Sequence, residues 1–338
     1  MKRILWSALA AVAVAALLPM GAMAQYAWKP DKPVTLIVPW AAGGSTDQMA
    51  RIVAAELEAE LKQKFVVVNQ PGASGSIGTK NALEAAKDGY TWAAGAAVDV
   101  GIYKVMGLLD TMLYDWELFF AVANVNAIAV NPNTPYKDFG QLLADLKTKG
   151  DNVSVATAGL SSAGRIFMES VRAADKDVKY KHVTYPGGAP AVTATVAGET
   201  QVVAQLLVEM SEHIKAKRLI PLAVQTDKPL TLEGFGEIQP VTKWLPKTPA
   251  PLNYFGIWIH KDAPKAVIET MKAVWKTKIA KSDVLNKYAD SRAALFTPIS
   301  GKEAYDGAMN AVRYTAWLYF DAGTAKVQPD TVGIDRPK

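Results

Sequence analysis

Short apolar runs of strand length alternate with longer helical patterns along most of this 338-residue chain. Residues 34–39 predict a strand, residues 46–64 a helix, and Phe65–Asn69 a second strand. A second series begins with a strand at residues 153–156 and a helix at 162–174. Because parallel strands need helical crossovers, the alternation predicts an α/β fold in which mainly parallel sheets are flanked by helices.

The length of the chain favours two domains rather than one. No single linker divides the sequence, so we expect the chain to cross between the domains at least twice, near Val125 and Gln225. The first lobe would then combine residues 25–124 with residues 226–338. The second lobe would be the middle segment, residues 125–225.

The N-terminus has the pattern of a secretory signal peptide. Lys2 and Arg3 precede an apolar run over residues 4–18, and Ala22-Met23-Ala24 resembles a peptidase site. We therefore expect residues 1–24 to be removed by cleavage after Ala24; a transmembrane anchor is the alternative. The mature chain is expected to be soluble, and without cysteine it has no disulfide and no thiolate metal site.

Composition and motifs argue against several classes of function. Removal of the two leader cations takes the formal net charge from +5 to +3, and no basic block with interleaved aromatics suggests nucleic-acid binding. His182, His213 and His260 have no metal-ligand spacing, and no Gly-x-Ser-x-Gly or phosphate-loop motif occurs. The sequence therefore predicts a protein that is not an enzyme and that has no cofactor and no metal.

Four turns of small residues follow successive predicted strands, at residues 38–47, 69–78, 156–164 and 185–190. Glycines allow close backbone approach, and free N–H groups at a helix start attract anions. The alternative is that these residues only turn the chain and cap helices. Since ligands of open parallel sheets gather at the carboxyl ends of strands, two turns from each lobe are expected to face one cleft.

At these turns the sequence resembles the Bug-type solute receptors of tripartite tricarboxylate transporters. The resemblance covers about residues 33–224 and includes a Val-Pro-Trp start, a Gly-Gly turn, a Pro-Gly-Ala-x-Gly turn and a Tyr-x-Gly turn. The matching residues are Val38, Pro39, Trp40, Gly43, Gly44, Thr46, Asp47, Ala50, Arg51, Pro71, Gly72, Ala73, Gly75, Gly78, Asp88, Gly89, Tyr90, Thr91, Tyr185, Gly187, Pro190, Ala191, Leu222, Ala223 and Val224.

The resemblance implies a periplasmic binding protein of the Venus-flytrap type, which closes two lobes around a small carboxylate and passes it to a membrane permease. A di- or tricarboxylate or an aromatic acid would fit such a site. Carried over onto this sequence, the ligand-binding residues are Trp40, Ala42, Gly43, Gly44, Ser45, Thr157, Gly159, Ser161, Ser162, Tyr185 and Gly187. Asp47, Ser74 and Gly188, which stand in these turns, and Asp99, which follows a predicted strand at residues 91–97, complete the predicted set.

The chain departs from the family pattern at two acids. Asp99 stands where small hydroxyl residues are common, and Glu209 stands near the return crossing. An acid that faced an anion would be unfavourable, so if either lines the cleft the ligand is expected to carry a positive or donor group as well. The alternative is that both are solvated or capping residues.

The expected protein is a monomer whose partners are its ligand and the permease. Two other functions stay open at this stage. One is a receptor that reports to a membrane sensor kinase, and the other is a periplasmic hydrolase.

Overall fold

The computed structural model describes residues 26–337, so the predicted signal peptide and its cleavage site lie outside the described residues. Within that range no helix is long and apolar enough to span a bilayer. The strands are β1 (Val34–Val38), β2 (Phe65–Asn69), β3 (Thr91–Ala96), β4 (Trp116–Asn124), β5 (Asn126–Val130), β6 (Ser154–Thr157), β7 (Lys181–Thr184), β8 (Val202–Leu206), β9 (Ile220–Val224), β10 (Leu230–Leu232), β11 (Gly236–Ile238), β12 (Asn253–His260) and β13 (Leu295–Phe296).

The helices connect these strands or close the C-terminal part of the chain. They are α1 (Ser45–Leu61), α2 (Ser76–Glu84), α3 (Ala97–Met106), α4 (Phe139–Thr148), α5 (Ala163–Ala174), α6 (Gly188–Val196), α7 (Leu207–Lys215), α8 (Lys265–Thr277), α9 (Asp283–Asp290) and α10 (Gly301–Asp321).

Two sheets form the centres of two lobes. The first has the strand order β13-β4-β12-β3-β1-β2, and the second has the order β7-β6-β8-β5-β9. In the first sheet β1 to β4 run in one direction, and β12 and β13 oppose them. In the second sheet only β5 opposes the other four strands. The predicted two-lobed α/β fold is confirmed, and both sheets are mixed: four of their nine strand pairs are parallel and five are antiparallel.

The chain passes from the first sheet to the second at Val125, which is the single residue between β4 and β5. It returns in the segment between β9 and β12. The β10–β11 hairpin in that segment packs on the second sheet, because buried Leu232 and Ile238 join the apolar cluster around Val224. The amide of Val224 also donates to the carbonyl of Gln239 at 3.0 Å.

Helix α1 is held against the first sheet by one apolar stripe. Met49, Val53 and Leu57 are fully buried and pack with Leu36 of β1 and Ile257 of β12. Their spacing of four residues places them on one helix face, which is the period expected of an amphipathic helix. This packing directs the N-terminus of α1 toward the space between the lobes.

Strand β12 lies in the middle of the first sheet, and most of the elements that follow it in the chain are helices. It pairs with β3 on one side and β4 on the other. A Cβ at Gly256 would lie 2.0 Å from the carbonyl oxygen of Phe119, so glycine is required where the register shifts.

We expect Leu57→Ala to lower the free energy of unfolding by about 2–5 kcal/mol, because it opens a cavity between α1 and the first sheet. Leu295→Ala is the matched control, since Leu295 is 45% exposed and should change stability by about 0.5 kcal/mol or less. Urea denaturation followed by far-ultraviolet circular dichroism measures both. Equal losses in the two variants would contradict the assigned core.

Candidate functional site

The carboxyl ends of β1 and β3 in the first lobe face those of β6 and β8 in the second. Between them lies a small cavity of about 30 Å³, which is room for a water-sized group. Six of the predicted ligand-binding residues line it: Trp40, Gly44, Ser45, Asp99, Ser162 and Gly188. The turns of both lobes therefore meet at one place.

The turn after β1 is shaped by the buried carboxylate of Asp47. Its Oδ2 atom accepts the amide of Gly43 at 2.9 Å, and its Oδ1 atom accepts Asn69 Nδ2 at 2.9 Å. Burial alone would raise the pKa of Asp47, but hydrogen bonds from Arg51, Gly43 and Asn69 lower it below the ordinary value. Gly43 has a φ of 84°, which a glycine adopts without strain. Asp47 thus stabilises the turn by accepting these hydrogen bonds, and it does not line the cavity.

The backbone N–H of Ser45, at the start of α1, has no acceptor within the helix. It donates instead to a carboxylate that belongs to the chain itself. Ser45 N donates to Glu209 Oε1 across the lobes at 2.8 Å, and Gln205 Nε2 donates to Glu209 Oε2 at 3.0 Å. Burial raises the pKa of Glu209, and these two hydrogen bonds partly oppose that rise. Glu209 therefore lines the cavity, which answers the question that the sequence left open about its position.

Gly188 allows Glu209 to reach this position. A Cβ at Gly188 would lie 2.0 Å from Glu209 Oε2, and a Cβ at Gly44 would lie 3.1 Å from Glu209 Oε1. The carboxylate is thus enclosed between the backbones of two turns, one from each lobe.

Asp99 is the second acid in the cavity. It lies in the first turn of α3, it is 4% exposed, and its Oδ2 atom accepts Trp40 Nε1 at 3.2 Å. Its Oδ1 atom is buried and has no hydrogen-bond partner. Burial raises the pKa of Asp99 well above its ordinary value, and the bond from Trp40 offsets only part of that rise. Trp40 is itself held in the lobe by this bond.

The two lobes also contact each other directly beside the cavity. The amide of Leu160 donates to Ser74 Oγ at 3.0 Å, and Ser161 Oγ donates to the carbonyl of Ser74 at 2.9 Å. On the other side the amide of Ala41 donates to the carbonyl of Pro186 at 3.2 Å. Several predicted ligand-binding groups are thus paired across the lobes.

The other predicted residues do not line the cavity. Thr157 Oγ1 is hydrogen-bonded to His182 Nε2 at 2.6 Å, and the hydroxyl of Tyr185 lies 3.5 Å from Glu199 Oε2. Arg165, directly after the turn at residues 156–164, pairs with buried Glu169 at 2.7 Å. The remaining residues outside the cavity are Ala42, Gly43, Asp47, Ser74, Gly159, Ser161 and Gly187.

Sequence reasoning missed Gln205 and Phe255, which also line the cavity. Gln205 lies near the carboxyl end of β8, so the rule that ligands gather at strand ends could have identified it. Phe255 belongs to β12, a strand that the sequence pattern did not reveal.

A larger cavity, of about 710 Å³, lies between α5, α10 and the C-terminal residues. Two pairs of its charged side chains form ion pairs: Arg172 lies 3.2 Å from Glu169, and Arg336 lies 2.8 Å from Asp321. Lys176 and Lys247 also line it. It contains none of the predicted ligand-binding residues.

Over residues 26–337, no group of three or more histidine, aspartate or glutamate side chains is arranged to hold a metal ion.

We expect Asp99→Asn to stabilise the protein, and to do so more at about pH 7 than at about pH 4. The pKa of Asp99 is raised on folding, so its contribution to stability is full below its ordinary value of 3.8 and is lost as the pH rises. Thermal melts at both pH values measure the gain.

The exposed Asp151→Asn is the control for that measurement, and it should show no such difference between the two pH values. If Asp99→Asn raised the stability equally at both pH values, ionisation of Asp99 would not destabilise the folded protein, and the prediction would be wrong.

Comparison with known proteins agrees with this architecture. A protein from the tcbD-tcbE intergenic region of Pseudomonas sp. strain P51 is 28% identical over 264 residues, which is 76% of each chain. BugT of Bordetella pertussis is 31% identical over 199 residues, covering 58% of this chain and 61% of BugT. The structure of the periplasmic binding protein BugD has a TM-score of 0.80 at 22% identity and covers 88% of this chain and 99% of BugD.

A second solved structure is MatC of Rhodopseudomonas palustris with bound malate, which has a TM-score of 0.76 at 19% identity and covers 86% of this chain and 99% of MatC. Residues 49–294 of the chain match the model of the tripartite tricarboxylate transporter family receptor. The chain therefore belongs to the tripartite tricarboxylate transporter receptor family, whose members are substrate-binding proteins.

Proposed function

We propose that this protein captures a small carboxylate in the cleft between its lobes and delivers it to the membrane permease of a tripartite transporter. One observation carries the proposal: turns from both lobes meet at the N-terminus of α1, where a backbone N–H already accommodates a carboxylate. Backbone N–H groups at a helix start favour anions because they have no partner within the helix. The Glu209 carboxylate shows that this end of the cleft accepts such a group from across the lobes.

Solved relatives of the same fold support a carboxylate as ligand. One neighbour was solved with malate, and another Rhodopseudomonas palustris protein was solved with adipate. Both ligands are small aliphatic dicarboxylates. The family and the receptor role also support capture without chemical conversion.

Capture would work by hinge closure. We propose that residues 26–124 and about 253–337 form one lobe and that residues 126 to about 250 form the other, with Val125 and the segment before β12 as the hinge. The packing of the β10–β11 hairpin on the second sheet supports the later return point. Ligand contacts made by both lobes would stabilise the closed form at the expense of the open form.

The place of action would be the periplasm, reached through the signal peptide at residues 1–24 with cleavage after Ala24. The receptor family supports this location. The working protein in the following experiments is therefore residues 25–338.

Thermal-shift screening tests the proposal. Aliphatic di- and tricarboxylates, aromatic acids and amino acids are added singly, and at about 100 times its dissociation constant a ligand adds roughly 2.7 kcal/mol of stability. We expect one class of acid to raise the midpoint and to decrease the radius of gyration measured by small-angle X-ray scattering. No shift with any acid would refute a carboxylate receptor.

Gly187→Val is expected to weaken binding of that acid about tenfold or more. The φ of Gly187 is 176°, extended backbone that any residue adopts, so the effect is steric. A Cβ there would lie 3.0 Å from both N and Cβ of Ala41 on the other lobe, so the added side chain would hold the lobes apart. Isothermal titration calorimetry measures the loss.

Gly307→Ala serves as the control for Gly187→Val. Its Cβ would make only ordinary contact, at 3.4 Å from Tyr254 of the same lobe, and Gly307 does not line the small cavity. It should bind the ligand with unchanged affinity. Equal affinity in the Gly187→Val variant would show that binding does not need close approach of the two turns.

A further inference from the structure

We infer that Glu209 and Asp99 determine specificity by accepting a hydrogen-bond donor or cation from the ligand, so that the ligand is a carboxylate with a cationic group at its other end. This inference rests on the proposed function and narrows its ligand class. It selects amino- or amidino-terminated carboxylates over simple dicarboxylates.

Glu209 is held in the cleft by its neighbours. Gln205 accepts the amide of Gly164 at 3.2 Å through its Oε1 atom, so its amide nitrogen is directed at Glu209 Oε2. The amide of Ser45 holds the other oxygen. With Gly188 closely packed against the carboxylate, Glu209 is a fixed part of the cavity wall.

Asp99 provides a second, independent observation. Its Oδ1 atom is buried, lacks a partner and belongs to a side chain that lines the same cavity. A buried acceptor without a donor is unfavourable, and a donor brought by a ligand would satisfy it. The cavity between the two acids has room for a group of about the size of an ammonium ion.

The wall of the cavity has no cation to balance a further negative charge. Among its described lining residues there is no lysine, arginine or histidine. The nearby Arg51 pairs with Asp47 at 2.9 Å, and Arg165 pairs with Glu169. A second ligand carboxylate at this end would therefore meet two acids without compensation, whereas an ammonium or amidinium group would be attracted by both.

Matched probe pairs test the inference by isothermal titration calorimetry on residues 25–338. The pairs are succinate with 3-aminopropanoate, glutarate with 4-aminobutanoate, adipate with 5-aminopentanoate, and terephthalate with 4-amidinobenzoate; malate, citrate, benzoate and aspartate are added as single probes. Within each aliphatic pair only the terminal group changes. We expect the cationic member of at least one pair to bind at least about tenfold more tightly than its dicarboxylate partner.

Glu209→Gln keeps the size of the side chain and removes its charge, so it should reduce that preference about tenfold or more. Glu212→Gln is the matched control, because Glu212 lies on the same helix with its side chain 58% exposed. It should leave the affinities for both members of each pair unchanged.

The outcomes separate this inference from the proposed function. If carboxylates bind but the dicarboxylate member is preferred, or if Glu209→Gln strengthens dicarboxylate binding and leaves the cationic probes unaffected, the inference is overturned and the receptor stands. In that case Glu209 is an internal competitor for the anion site. If no probe of any kind binds, the carboxylate receptor fails and the inference fails with it.

Discussion

The hydrogen bond from the Ser45 amide to the Glu209 carboxylate joins the lobes at the point where the cleft converges. The N–H of Ser45 is available for this bond because the first turn of a helix leaves its amides without intrahelical acceptors. Packing of α1 on the first sheet aims it at the second lobe, and β8 carries α7 with Glu209 to the opposite side. The two sheets therefore meet at this polar contact, beside the hydrogen bonds of Ser74 and Ala41 to the second lobe, and the small cavity is what remains around it.

That contact depends on backbones that approach more closely than side chains would permit. The two glycines of the turn at residues 185–190 are needed for different reasons. A Cβ at Gly187 would press on Ala41, and a Cβ at Gly188 would occupy the place of the Glu209 carboxylate. Neither residue needs an unusual φ, since Gly187 is extended and Gly188 begins a helix. The glycine pair is thus explained by the fit between the lobes rather than by the turn itself.

Sequence analysis identifies the elements whose signals are local. The pattern predicts β2 with its bounds and places α1 within three residues at either end, because periodicity and turn residues are contained in the segment. It misses β12, because an apolar run with neighbours on both sides has no alternation and follows a proline-rich stretch. It finds the turns of the site but not their pairing, since the acceptor of the Ser45 amide comes from a residue 164 positions later.

An acid fixed in the anion site changes the balance between open and closed lobes. When a cleft of this kind closes empty, the amide of Ser45 would lose water and gain no acceptor, which is unfavourable. Glu209 supplies that acceptor from within the chain, so closure without ligand costs less free energy. A ligand then shifts the population toward the closed form only by the binding free energy that it adds beyond the bond between Ser45 and Glu209. Displacing Glu209 would break its bonds to Ser45 and Gln205, whereas binding to it keeps both. The arrangement therefore favours ligands that use the acid rather than replace it.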